Sequence, residues 1–222
     1  FPDNIVHETK GFAGHSLIYN AVKGSLNGGS IQNNSISGHR SFSFGNKNKA
    51  EGTNSIALGS TNISTGPGSV TMGAGNEANS NYATAIGYSN VAGTESVAMG
   101  SDNMANATNS VAIGELNNST GNNSVSMGSG NSATALNSVA IGKLNTSTGE
   151  NSVSIGSSNN TADDYAMAFG YDNSASGYYS MALGFNNQTS YGETFSIGSN
   201  NNSTGYRSLT IGSDNDAIGD FS

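Results

Sequence analysis

The chain has no cysteine among its 222 residues, so no disulfide can staple it. Cations are scarce: seven Lys and Arg stand against fifteen Asp and Glu, and none of the seven falls between residues 50 and 142. A phosphate-binding surface needs clustered cations, which argues against nucleic acid and against an anionic membrane surface as partners. The carboxylates are scattered and read as a solvated surface that keeps the chain soluble. No run of about eighteen apolar residues occurs, so no segment reads as a membrane-spanning helix. Only two prolines accompany 31 glycines, with no G-X-Y period, which excludes collagen and a proline-rich linker. Hydrophobic residues are 34% of the chain, below the roughly 45–50% of ordinary domains. The opening Phe1-Pro-Asp-Asn has neither an initiator Met nor a basic-then-apolar leader, and reads as a stretch of something longer.

What the chain has instead is a repeat. Thirteen glycines, from Gly45, Gly59 and Gly73 through to Gly198 and Gly212, recur at intervals of 14 residues, with one interval of 13 between Gly87 and Gly100. Ordered columns of this kind separate the chain from a disordered one of similar composition. A period so short leaves room for one turn of a narrow solenoid per unit.

The residue before each glycine is apolar in all thirteen units, for example Met72, Ile113, Ile155 and Ile211. Three before, the column runs from Phe42 and Ile56 to Phe195 and Leu209, and only Thr84 breaks it. Two before, every residue is small, and four before, ten of thirteen are Ser. This is the period-two alternation of a strand with one buried face, and apolar residues at i and i+2 share no face of a helix. The alternation predicts that the bulky residues point inward and the small ones outward. A core of two bulky residues per turn is thin, and thin cores need staples, metals or oligomerisation. With no Cys and no ligand cluster, oligomerisation is what remains, through close approach of chains at the small-residue face.

Three residues after each glycine stands an Asn, from Asn48 to Asn215, and two further on an Ala, Ser or Thr. Gly and Asn both tolerate positive φ and are expected at the corners. Stacked Asn side chains can also hydrogen-bond along the axis.

The units Ser110-Val-Ala-Ile-Gly114, Ser138-Val-Ala-Ile-Gly142 and Ser96-Val-Ala-Met-Gly100 resemble the head repeat of the YadA-like trimeric autotransporter adhesins. The resemblance runs over residues 41 to 219. It implies an all-β fold, a left-handed parallel β-roll of ~14-residue coils, packed side by side as a homotrimer. It also implies a place at the bacterial cell surface, extracellular and anchored to the outer membrane through regions outside this chain. The function it implies is cell adhesion: attachment to host matrix proteins such as collagen, fibronectin or laminin, or to host cell-surface receptors, with auto-aggregation as an addition. No enzymatic activity, no cofactor, no metal and no nucleic-acid partner are implied. The expected division is residues 1–40 as an irregular N-terminal cap or degenerate repeats, with Gly28, Gly29, Ile31 and Ile36 as remnants of rungs, and 41–222 as thirteen head repeats. Terminal repeats generally need such a cap.

Several motifs carry no chemistry. Gly73-Ala-Gly75-Asn-Glu-Ala78 and Gly128-Ser-Gly130-Asn-Ser-Ala133 spell a phosphate fingerprint but lack the following helix that would bind the anion. Sequons at Asn62 and Asn106 follow from composition. The spacings of His7, His15 and His39 fit no metal site, and the Asp163–Asp164 pair points to opposite faces of a strand. No aspartate column supports a calcium-binding roll.

In a solenoid, function must come from residues that break the columns. Six of nine tyrosines fall between Tyr165 and Tyr206. Tyr165 and Tyr179 share one phase in neighbouring rungs, and Tyr171 and Phe185 share another. Each pair is expected to stack, and the four are expected to form a receptor contact patch, since Tyr is a favoured interface anchor. The rival readings are an ice-binding solenoid, which would need ranks of Thr where these columns mix Ala and Ser, and a phage tail-fibre module, which would need carboxylate pairs in a groove.

Overall fold

The computed structural model describes residues 6–10, 15–20, 23–30, 35–36 and 38–222. Among these there is no helix, and the chain divides into two compact units, Phe1–Asn109 and Ser110–Ser222. The first unit opens with an antiparallel meander of β1 (Val6–Lys10), β2 (His15–Asn20) and β3 (Ser25–Ser30). Parallel pairing starts with β3 against β5 (Phe42–Asn46) and β4 (Ser35–Ile36) against β6 (Lys49–Ala50). Gly29 faces Gly45 in this register with φ of 113°, and Ile36 faces Ala50. Ile31 lies outside the described residues.

Five-residue and two-residue strands then alternate. Each pairs in parallel with the like strand one turn on, so that every turn gives one strand to each of two sheets. The first unit holds five such turns, and the second holds eight, from Val111–Glu115 to Leu209–Ser213. Glycine faces glycine at each step, as in Gly128↔Gly142↔Gly156. The 13-residue interval leaves this register intact, because Gly87 still faces Gly100; the missing residue comes from the connection between Ala92 and Val97. The architecture is a β-solenoid with coils of about fourteen residues.

The structure reverses the expected facing of the side chains. The small columns are inside: Ala57, Ala85, Ser126, Ala140 and Ser154 are wholly buried, as are Ser69, Ser96 and Ser138 two residues earlier in their turns. The bulky columns are outside: Met72 and Phe195 are each 40% exposed, Ile211 is 65% exposed, and Val125 and Ile141 are half-buried. The small residues are therefore not a self-association face. Alternation states which residues share a face, not which face is enclosed. A coil that closes in fourteen residues leaves little room between its two sheets, and the buried columns hold Ala, Ser and Thr, with Asn in one column.

The Asn residues from Asn48 to Asn201 are the largest fully buried side chains among the described residues, and Asn215 in the last turn is exposed. They form a continuous amide spine in each unit rather than the corners. Asn159 donates from Nδ2 to the carbonyl of Ile155 (3.0 Å), the carbonyl of Gly170 one turn on (2.8 Å) and Oδ1 of Asn145 one turn back (3.0 Å). Its own Oδ1 accepts from the backbone N and the Nδ2 of Asn173, both at 3.0 Å. Every polar atom of a buried amide is thus engaged, which burial demands.

The repeat glycine belongs to the same device. At Gly156, φ is 126°, and a Cβ would sit 2.0 Å from the Gly170 carbonyl oxygen and 2.9 Å from Asn159 Nδ2. The fixed Gly-x-x-Asn spacing is therefore one structural unit: the glycine leaves the room through which the amide reaches the next turn. Asn159→Ala should destabilise the chain by roughly 3–5 kcal/mol in denaturant unfolding, since each stranded partner costs ~1–3 kcal/mol. Gly156→Ala should be at least as harmful, whereas an outward change such as Val153→Thr should cost under about 1 kcal/mol.

Candidate contact surface

With both columns of the lumen occupied by scaffold, variation is confined to the outer faces and the two corners of each coil. Both corners require a left-handed residue. One lies two residues after the glycine, as at Leu116, Leu144 and Ser158, with φ of 55–58°. The other lies five before it, in a turn closed by bonds such as Ser124 N to the Gly121 carbonyl. At this second corner five turns carry Asn, at positions 54, 109, 123, 137 and 151. Asn tolerates the left-handed region best after glycine, and exposed amides link these turns: Asn123 Nδ2 donates to Asn137 Oδ1 at 3.2 Å and Asn137 to Asn151 at 2.9 Å.

Tyr165 and Tyr179 occupy that corner with φ of 58° and 56°. A bulky side chain is an outlier there, and backbone strain of this kind is worth tracing to a use. Their rings stack at 4.7 Å with 16° between planes. Tyr178, exposed beside them, meets the Tyr179 ring edge-on at 4.3 Å and the Tyr165 ring at 5.8 Å. Its hydroxyl is held above the ordinary tyrosine range, first by its hydrogen bond with Tyr179, then by partial desolvation and the negative charge of neighbours including Asp164.

Tyr171 and Phe185 also stack, at 5.4 Å and 7°. They end the strands Met167–Tyr171 and Met181–Phe185, however, while Tyr165 and Tyr179 precede those strands. Six residues of extended chain, about 20 Å, separate the two pairs. The four residues named from the sequence are therefore two ladders at opposite ends of the same strands.

The tyrosine corner extends further than phase-matching within one column revealed. Tyr191, 59% exposed, stands one turn beyond Gly177, and Tyr206 and Phe221 lie edge to face at 6.0 Å. Arg207 lies over both, with its guanidinium carbon 5.0 Å from the Tyr206 centroid and 5.9 Å from that of Phe221. It pairs with Glu193, Nε to Oε2 at 2.7 Å, and the Tyr206 hydroxyl donates to the same carboxylate at 3.0 Å. The Arg207 hydrogen bond, with that of Tyr206 behind it, holds the Glu193 carboxyl below the usual range. Tyr206 and Tyr191 sit one and two positions before the column of Tyr165 and Tyr179, whereas Glu193, Arg207 and Phe221 stand in that column itself. Following the Tyr165 column onward past Tyr179 is the signal that finds Glu193, Arg207 and Phe221, and the column one position earlier supplies Tyr206.

The other candidates resolve into structure. Asp163 Oδ1 accepts from the Asp164 backbone N and Asp164 Oδ1 from the Glu150 backbone N, both at 2.8 Å, so the acidic pair braces the turns. Gly73, Gly75, Gly128 and Gly130 lie in a strand-to-corner path with no helix behind it. Asn62 is buried in the amide spine, whereas Asn106 is exposed. Among the described residues no three His, Asp or Glu side chains converge on a point that could hold a metal; the side chains of His7 and His15 lie outside the description.

Each unit thus combines a parallel β-solenoid and a buried amide spine with bulky apolar residues on its outer face. The family model for the YadA head domain repeat matches residues 37–62, 64–90, 92–114, 119–144, 147–173 and 175–190. These spans cover well over half of the chain, and the chain belongs to the YadA head family. That membership points to the head of a surface-exposed trimeric autotransporter adhesin. No curated protein matches it. No helix among the described residues is long and apolar enough to cross a membrane.

Because Glu193 gains its partners only on folding, their contribution is present above the carboxylate's ordinary range and is lost as pH falls through its depressed folded value. Carbon-13 titration of the Glu193 carboxyl should give a midpoint below that of an unperturbed glutamate. Arg207→Gln should move it back up; an unmoved midpoint contradicts the pairing.

Proposed function

We propose that the chain is the head of a bacterial adhesion fibre that attaches the cell to host matrix proteins or cell-surface receptors, working as a homotrimer of left-handed β-rolls packed side by side. The observation that carries the association is the reversed facing of the columns. In each unit, Thr84 excepted, two bulky apolar residues per turn stand on the outside of the long-strand sheet, among them Met127 at 37% and Leu183 at 39% exposure. A soluble monomer rarely carries contiguous apolar surface beyond a few hundred square ångströms, and larger expanses mark interfaces. Covering that face with sister chains supplies the hydrophobic burial that an interior of Ala, Ser and Asn does not.

The corners and the short-strand side then remain to meet a receptor, and the ladders Tyr165/Tyr179 and Tyr171/Phe185 are the proposed contacts. Residues 1–40 serve as the cap of the first turn, a role that fits the antiparallel meander of β1 to β3 laid along β5. Outer-membrane anchoring through other regions and auto-aggregation between cells follow the family pattern.

Analytical ultracentrifugation of the isolated chain should give a species of three protomers at micromolar concentration. Val125→Asp with Ile141→Asp, both outward, should yield a β-rich protomer that no longer associates. A double variant that sediments as the wild type would remove the apolar face from the interface. Adhesion of purified head to immobilised collagen, fibronectin, laminin and host cells tests the attachment itself; failure on all of them would reject it.

A further inference from the structure

Three successive turns of the second unit hold the Arg207 guanidinium and show how this corner does it. Arg207 stands five residues before its glycine, in the column that also holds Tyr165 and Tyr179. Its cation lies against the Tyr206 and Phe221 rings and is neutralised by Glu193 from the preceding turn. The recipe is two aromatic rings and a carboxylate on the same edge of successive coils.

Three turns earlier the same edge begins to repeat that recipe without a cation of its own. Tyr165, Tyr178 and Tyr179 form a cluster of three rings within 5.8 Å of one another. Asp164 stands directly one turn before Tyr178 in the same column, and Asp163 is exposed beside it. The sequence from residue 144 to 206 contains no Lys or Arg, yet it carries Glu150, Asp163, Asp164, Asp172 and Glu193. Among the described residues the ion pair is that of Glu193 with Arg207, two turns away.

We propose that the corner formed by Tyr165, Tyr178 and Tyr179 with Asp163 and Asp164 receives an arginine side chain from a basic segment of the partner protein. The inference deepens the adhesin reading and rests on it, by naming the chemistry of the partner. A guanidinium is planar, weakly hydrated and suited both to stacking on tyrosine and to pairing with carboxylate. The surplus of one sign favours a cationic partner over a neutral glycan and repels an anionic one. The left-handed backbone is consistent with this use: tyrosines stand where neighbouring turns place asparagine, so the rings are kept at a conformational cost that their mutual stacking and a ligand together offset.

That asparagine also provides a clean test. Tyr165→Asn with Tyr179→Asn restores the residue found at this corner in five other turns, so the variant should fold. Asp164→Asn keeps the side-chain oxygen that accepts from Glu150 while removing the charge. The probe is the peptide Arg-Gly-Arg-Gly-Arg against its citrulline analogue, titrated into the full chain by calorimetry at low salt. Tyrosine ring resonances are followed in parallel.

The arginine peptide should bind, shift the rings of Tyr165, Tyr178 and Tyr179, and weaken as salt rises. The citrulline analogue should bind at least tenfold more weakly. The asparagine variants should each weaken the arginine peptide by roughly three- to tenfold. Equal affinity for the two peptides, no binding of the arginine peptide, salt-insensitive binding, or unchanged affinity in the variants would overturn the proposal. The adhesion assay separates the two readings. A head that adheres to host proteins but ignores the peptide loses the cation site and keeps the adhesin function. One that binds the peptide but no host protein keeps the site and loses that function.

Discussion

The structure depends on a carboxamide that fits where nothing larger can. Each Asn of the spine from Asn48 to Asn201 is buried, and burial of an amide is tolerated only when all its hydrogen-bonding capacity is met. Here the partners come from three successive turns: a carbonyl of its own coil, a glycine carbonyl of the next, and the amide of the one before. Neighbouring coils are therefore locked in register by side chains as well as by the parallel ladder. The glycine three residues earlier is required because its missing Cβ is the space that the contact uses. Sequence regularity over so many turns follows from this: no coil can change its Gly or its Asn without stranding atoms in both neighbours.

A lumen filled in this way has little apolar content, and the consequence lies outside. The residues that would make a core in an ordinary sheet protein are displaced to the outer face of the long strands. Hydrogen bonds, each of modest net worth, hold the coil, and hydrophobic burial is left for association. In the trimer proposed here, fold and assembly are divided between two sets of columns that alternate along one strand. The corners belong to neither set, and it is there that Tyr165, Tyr179, Glu193 and Arg207 collect, while Tyr171 and Phe185 stand at the ends of the long strands.

Most of the architecture was legible in the sequence. The glycine period gave coil length and register, alternation gave the strands, and the Ser-Val-Ala-Ile-Gly units gave the family. Facing was not legible from alternation alone, because Val125 and Ser126 alternate identically whichever side is enclosed. The uniform smallness of the column containing Ala57, Ala85 and Ser126 carried that information, since size is restricted where volume is limiting. The stacking of Tyr165 on Tyr179 and of Tyr171 on Phe185 was legible from phase. Their separation into two ladders was not, because it depends on which end of the long strand each occupies. The cage around Arg207 was not legible from aromatic repetition, because the column that unites Glu193, Arg207 and Phe221 changes chemistry at every turn and Tyr206 comes from the column beside it.

The claim most exposed to test is that the Asn column is an internal amide spine. Hydrogen exchange of Asn side-chain amides, followed by NMR on selectively labelled protein, addresses it directly. The Nδ2 protons of Asn145, Asn159 and Asn173 should exchange as slowly as the backbone amides of the long strands, and orders of magnitude more slowly than those of exposed Asn123 at the corner. Side-chain exchange in the column as fast as at Asn123 would contradict the account.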